Sequence, residues 1–343
     1  MRKVIILTIL GMVVSCLKKS AEKPSISLGV EKVYVINGLS ETVSIIIPNS
    51  LEIFNDVFET GSTPNFMLIR YPLGYIVNSG FTAPPTIQIF NVDNNSVIKT
   101  IPLPEGSNPW AVEWFDGKLY VTGFATDRIY VLDEENTQLI NEVDIGKAPA
   151  GITLFENLLL VVCSGYDLDT YEYGEGCLYI LEINSSNPAE LNLVDSIPVG
   201  VNPQTVKVDG NGDFHILLSG RFGENDGKIY LVDPTSNYSV IDSLYIGGFP
   251  TSFVVRDGIG YVSDIGGRLI SYDVNTFTIL KEIAVPSGSM GISVDGKGRV
   301  FLAVFSSSRM NYVRVYNPSL DSLLFVYETG KDVGTQFLSI YEP

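Results

Sequence analysis

Gly146-Lys-Ala-Pro149, followed at once by the apolar run Ala150-Gly-Ile-Thr-Leu-Phe155, is one copy of the element that decides how this chain folds. The same junction recurs as Gly61-Ser-Thr-Pro64, Gly106-Ser-Asn-Pro109, Gly200-Val-Asn-Pro203 and Gly247-Gly-Phe-Pro250. Two degenerate copies follow, Pro286-Ser-Gly-Ser289 and Gly330-Lys-Asp-Val333, and the successive spacings are 45, 40, 54, 47, 39 and 44 residues. Between junctions the chain is a series of short β-branched and aromatic runs bounded by Gly, Asp and Asn. Leu119-Tyr-Val-Thr122, Arg128-Ile-Tyr-Val-Leu-Asp133 and Leu139-Ile-Asn-Glu-Val-Asp-Ile145 form one such set. These are strand signals, and no window shows convincing helical periodicity. A period near 45 residues with this content predicts an all-β chain of four-stranded antiparallel propeller blades.

The two ends fix the number of blades. Glu31-Lys-Val-Tyr-Val-Ile-Asn37 reads as a second strand, so the first blade lacks its innermost one. Gln336-Phe-Leu-Ser-Ile-Tyr341 reads as a first strand with no blade of its own. Placing that tail in the first blade gives a seven-bladed β-propeller over residues 31–343 with no open radial edge. At these strands the chain resembles the YVTN-type seven-bladed propellers. The name-giving strand stands as Tyr34-Val-Ile-Asn37, Tyr75-Ile-Val-Asn78, Tyr120-Val-Thr-Gly123 and Tyr261-Val-Ser-Asp264, and a third-strand ending as Phe90-Asn-Val-Asp93, Tyr130-Val-Leu-Asp133 and Tyr230-Leu-Val-Asp233. That family is functionally mixed, so the resemblance implies a fold and no activity.

Lys and Arg number 22 against 39 Asp and Glu, a formal net charge of −17. Such acidity argues against nucleic-acid binding, which rests on clustered cations. Met1-Arg-Lys3 is a basic start and Val4–Val14 an apolar stretch too short to cross a bilayer as a helix, so residues 1–15 read as an export signal. The stretch ends in Val13-Val-Ser-Cys16, which resembles a bacterial lipobox. The resemblance implies cleavage before Cys16, lipidation of its thiol and amine, a membrane anchor, and a tether over residues 16–30. The expected location is therefore extracytoplasmic, at the cell envelope or surface.

Up-and-down strands place first-to-second and third-to-fourth turns on one face of the disc. These are tight, as at Asp116-Gly117 and Asp257-Gly258. The other face collects the junctions and four long loops, 78–86, 164–176, 219–227 and 305–311. They carry Phe81, Tyr166, Tyr171, Tyr173, Arg221, Phe222 and Arg309, residue types that dominate recognition surfaces, and are expected to form a binding rim. The alternative is neutral insertions folded back on the blades.

Catalytic signals are weak. The single histidine, His215, sits in an aromatic strand slot and reads as packing. No nucleophile elbow or phosphate-cradling Gly-rich motif is present, and no catalytic residue is assigned. Inner strands offer mainly Glu113. Cys163 and Cys177 flank the longest loop on antiparallel neighbours, within disulfide reach in an exported chain; two free thiols are the alternative. Asp167, Asp169 and Glu172 have the oxygen chemistry of a calcium site, but their spacing matches no calcium loop. The repeated Asp93, Asp133, Asp233 and Asp273 read as Asx-turn residues.

The expected function is non-catalytic binding of a small molecule, glycan or protein through the long-loop face. A calcium-assisted hydrolase or lactonase and a structural envelope scaffold are the alternatives. Some surface propeller lipoproteins of this general type capture nutrients, including corrinoids, a possibility that rests on the resemblance alone.

Overall fold

The apolar runs become the middle strands of each sheet, where both faces are covered. In the third blade the second strand, Lys118–Gly123, is buried almost throughout, whereas the outermost, Gln138–Asp144, alternates exposed and half-buried. The computed structural model describes residue 26, residues 28–306 and residues 309–343; Cys16, residues 1–15 and most of the expected tether lie outside the described residues. Seven four-stranded antiparallel sheets stand around a channel, with one extra two-stranded hairpin. Hydrophobic cores lie between neighbouring sheets. That between the last blade and the first, for example, brings Phe301, Ala303 and Val313 against Val33, Val35 and Ile46.

The first blade closes as expected. Its order from the rim inwards is Glu52–Glu59, Thr42–Ile47, Lys32–Asn37 and Thr335–Tyr341. The C-terminal strand pairs antiparallel with the first, Tyr34 opposite Ser339 and Val35 opposite Leu338. Side chains fasten the same seam: Thr335 Oγ1 donates to Asn37 Oδ1 at 3.0 Å. At the tight-turn end, Arg299 of the last blade holds Glu31 at 3.0 Å.

Four of the five Gly-x-x-Pro junctions share one device. The residue before proline, Thr63, Asn108, Ala148 or Asn202, takes φ of 53°, 43°, 51° and 57° respectively, a left-handed bend that turns the chain into the next inner strand. Its carbonyl then accepts the amide that follows the second strand, as in Ser79 to Thr63 (2.9 Å) and Ser164 to Ala148 (3.0 Å). The closing blade repeats this bond, with Gly38 donating to Gly334 at 2.8 Å. The last degenerate copy is thereby corrected by two residues. Gly330 and Lys331 still belong to the outer strand Leu323–Lys331, and Thr335 occupies the proline position.

Tyrosines bolt the blades together. Tyr34, Tyr75, Tyr120 and Tyr261 are buried, and each hydroxyl crosses to the next blade's outer turn. Tyr120 donates to Pro188 O at 2.6 Å, Tyr261 to Pro318 O at 2.8 Å and Tyr75 to Glu134 Oε1 at 2.9 Å. His215 fills this slot in the fifth blade, as expected of a packed residue, with Nδ1 2.9 Å from the Tyr272 hydroxyl and Nε2 3.3 Å from Asp209. The turn aspartates behave as expected at Asp133, Asp233 and Asp273, which cap following amides at 2.8, 2.7 and 2.9 Å. Asp93 does not. Asn91 stands at the equivalent strand end and takes the Asp93 amide at 2.9 Å instead.

Two outcomes follow for this framework. Tyr120→Phe leaves the Pro188 carbonyl without its donor and should lower unfolding stability by about 1 kcal/mol in denaturant titration. Burial holds the His215 pKa below its usual 6.5, so the folded protein keeps the ring neutral while the unfolded chain takes a proton. Stability should therefore fall as pH drops below about 6.5, and less steeply in His215→Gln.

Candidate functional site

The seven inner strands line a cavity of about 790 Å³ that opens on the long-loop face. Small residues let these strands stand close together. A Cβ on Gly151 would lie 2.6 Å from Gln204 O, and one on Gly291 would lie 2.5 Å from Gln336 O. The wall inherits its character from strand position. The second residue of five of the strands supplies a polar or aromatic collar near the mouth, Asn65, Trp110, Gln204, Thr251 and Gln336. Asn65 donates to Pro109 O at 3.2 Å, yet its buried Oδ1 has no partner among the described residues.

The fifth residue of six of the seven strands sets the deeper layer. Leu68, Val254, Ser293 and Ser339 occupy it in four blades, Glu113 and Lys207 in two others. Among the described residues these last two are the only charged side chains on the cavity wall. Both are surrounded by protein, yet part of their surface faces the channel. Burial pushes the Glu113 carboxyl above its usual range, opposed by Lys207's charge and by the Trp114 and Leu154 amides. Burial likewise pushes the Lys207 amine down, opposed by Glu113. The two feel each other's charge without meeting: no ion pair joins them within 4.0 Å. Lys207 was missed in the sequence, although its place is legible there, since it stands four residues after Pro203 as Glu113 does after Pro109.

Aromatic rings lead away from the mouth. Trp110 stacks on Phe124 at 5.1 Å, Phe124 approaches Tyr166 at 6.4 Å, and Tyr166 packs on Tyr173 at 4.9 Å. The last two belong to a small hairpin, Tyr166–Asp167 with Glu172–Tyr173, so the longest loop is a built element. Asp167 organises its turn by accepting the Asp169 and Thr170 amides at 2.9 and 3.1 Å, which lowers its pKa; Lys147 lies 3.8 Å away. Among the described residues no three His, Cys, Asp or Glu side chains converge as a metal site.

The rim residues divide into separate groups. Phe81, 90% exposed, borders the channel mouth directly. Phe222 meets Phe249 edge-on at 5.3 Å, while Arg221 turns to its own loop's Asp226 at 3.9 Å. Tyr171 projects from the hairpin turn at 74% exposure. Arg309 is exposed, and its carbonyl accepts Asn311 Nδ2 at 2.9 Å. Trp110, Phe124 and Phe249 escaped the sequence reading because they lie in or beside strands and junctions and not in long loops. Cys163 and Cys177 do stand directly opposite in register, but as free thiols. Burial raises the Cys163 pKa strongly, which suppresses its thiolate.

Holding an unpaired carboxylate and ammonium inside the ring costs stability. The double variant Glu113→Gln/Lys207→Met should therefore melt above the wild type in calorimetry. Either single variant should melt below the double, because it leaves one charge without its counterpart.

No protein family and no curated protein matches this chain in sequence. Solved structures do match in shape. A candidate 6-phosphogluconolactonase from Bacteroides fragilis is similar at a TM-score of 0.70 and 11% identity, covering 91% of this chain and 98% of that one. Dihydro-heme d1 dehydrogenase NirN, in complex with DHE, is similar at 0.60 and 14% identity over 95% of this chain and 78% of that one. The computationally designed Ika8 protein is similar at 0.62 and 11% identity, covering 93% and 92%. At these identities the likeness shows the fold alone.

Proposed function

We propose that this protein is an exported, lipid-anchored binding propeller that takes a small organic ligand into the long-loop mouth of its channel, without catalysis. The observation that carries this reading is the channel itself. It is a cavity of about 790 Å³, open at one face, approached by the Trp110–Phe124–Tyr166–Tyr173 ring series. Concave sites of this size, mostly apolar with a few placed polar groups, are the usual form of small-molecule sites. The rings, one pair stacked and the others tilted, give the approach an apolar surface at low entropic cost. Glu113 and Lys207 offer a hydrogen-bond acceptor and a donor at its floor.

The absence of catalysis is part of the proposal. Two charged groups of opposite sign, separated and without a third group to orient either, supply less than the nucleophile, base and orienting partner that hydrolytic sites combine. Lipidation of Cys16 places this mouth outside the cytoplasm, where two or more acyl chains anchor stably. Oxidation of the facing Cys163 and Cys177 would tie the base of the aromatic hairpin, and we include that bond in the proposal.

A thermal scan of the intact chain with a glycan panel, corrinoids, amino acids, calcium and EDTA tests the reading. An organic ligand at 100 times its Kd should stabilise by about 2.7 kcal/mol. That shift should be reduced by Trp110→Ala and by replacing residues 164–176 with a short turn. A shift with calcium alone, reversed by EDTA, would contradict it. Palmitate labelling in a lipoprotein-processing host should be lost in Cys16→Ala.

A further inference from the structure

The channel's two charges have a feature that the binding reading does not use. Among the described residues they are the only charged groups on the wall, they are opposite in sign, and they do not neutralise each other within 4.0 Å. Glu113 Oε2 accepts its neighbour's Trp114 amide at a long 3.3 Å, and the Leu154 amide also acts on the carboxylate, but no cation among the described residues meets it. Lys207 Nζ has no hydrogen-bond partner there and opens to the channel, since it is not among the sealed, unpartnered polar atoms. A buried ion pair normally recovers its desolvation cost only through close contact and further hydrogen bonds. Here that contact is withheld at both ends.

We propose that Glu113 and Lys207 are the two poles of a site for a small amphiphilic zwitterion of amino-acid or dipeptide size. The guest's ammonium donates to Glu113, its carboxylate accepts from Lys207, and its apolar part lies on Leu68, Phe253, Val254 and Ile292. The inference rests on the channel-binding reading and names its ligand class.

Charge matching decides between guests. A guest with one charge satisfies one pole and leaves the other desolvated without a counter-charge, which is the costly outcome. An uncharged guest satisfies neither pole as fully, because charge-assisted hydrogen bonds are about twice as strong as neutral ones. A zwitterion satisfies both and adds no net charge to a chain already at −17. The other described residues of the wall are uncharged: apolar and aromatic side chains, hydroxyls and amides. They supply no second ion that would fit a more highly charged ligand.

Tryptophan fluorescence (Trp110 and Trp114) and isothermal titration of the intact chain read the test. The probes are L-phenylalanine and leucyl-phenylalanine, each compared with its amide, which is cationic, and its deaminated acid, which is anionic. The zwitterions should bind about tenfold or more tightly than either analogue, since each lost charged hydrogen bond is worth that much. Glu113→Gln and Lys207→Met should each remove this preference, and the neutral double variant should lose it while staying folded by circular dichroism. Zwitterion affinity should fall as pH drops and Glu113, whose pKa burial raises, takes up a proton. Equal binding of zwitterion and singly charged analogue, or zwitterion binding indifferent to both substitutions, overturns the proposal. So does silence from every amino acid and dipeptide. If a neutral glycan or corrinoid still binds the mouth, only the zwitterion assignment falls; if nothing binds, the channel reading falls with it.

Discussion

Everything in this molecule depends on one pairing, between Thr335–Tyr341 and Lys32–Asn37. A propeller blade cannot bury both faces of its sheet by itself; it needs a neighbour on each side, and the first and last blades have none until the ring closes. By donating its last strand to its first sheet, the chain converts a row of blades into a ring. The closed ring leaves no incomplete blade for another chain to extend. The seam repeats the junction carbonyl bond and the apolar core of the other interfaces, and adds the Arg299–Glu31 contact.

Closure also creates the site. Seven inner strands held side by side turn side chains to a shared space, and in six of them the second and fifth residues are among those that line it. Because the scaffold is rigid and over-determined by inter-blade bonds, it tolerates two desolvated charges that a small core could not hold apart. The cost is local and the ring carries it.

The fold was legible because the junction recurs with its own hairpin turns, and because strand burial is written in composition. Continuous runs such as Leu158–Cys163 are central and alternating ones such as Gln138–Asp144 are peripheral. Register within a degenerate copy was less legible. Gly330-Lys-Asp-Val333 looks like a junction, yet the outer strand there runs on to Lys331 and displaces the bend by two residues. In the second blade Asn91 took the role read into Asp93 for a similar reason, since both residue types cap a turn. The site was only half visible. Long loops announce themselves, so Phe81 and the 164–176 tyrosines were found. Lys207 sits in a strand whose apolar neighbours disguise it, and only alignment of all seven inner strands by their junction prolines separates it from an ordinary surface lysine. Trp110 and Phe124 join the hairpin tyrosines into one series through contacts between blades, which no single repeat reveals.

Hydrogen exchange of the intact chain, followed with and without an extract of its host's envelope, tests the central claim most directly. That claim is a closed ring whose one open mouth is the binding surface. The account predicts that amides of 335–341 exchange as slowly as those of the other inner strands. Adding extract should slow exchange further at the junctions 61–64 and 106–109 and in the hairpin 164–176. Early exchange of the C-terminal strand, or protection confined to the tight turns at 116–117 and 257–258, would contradict it.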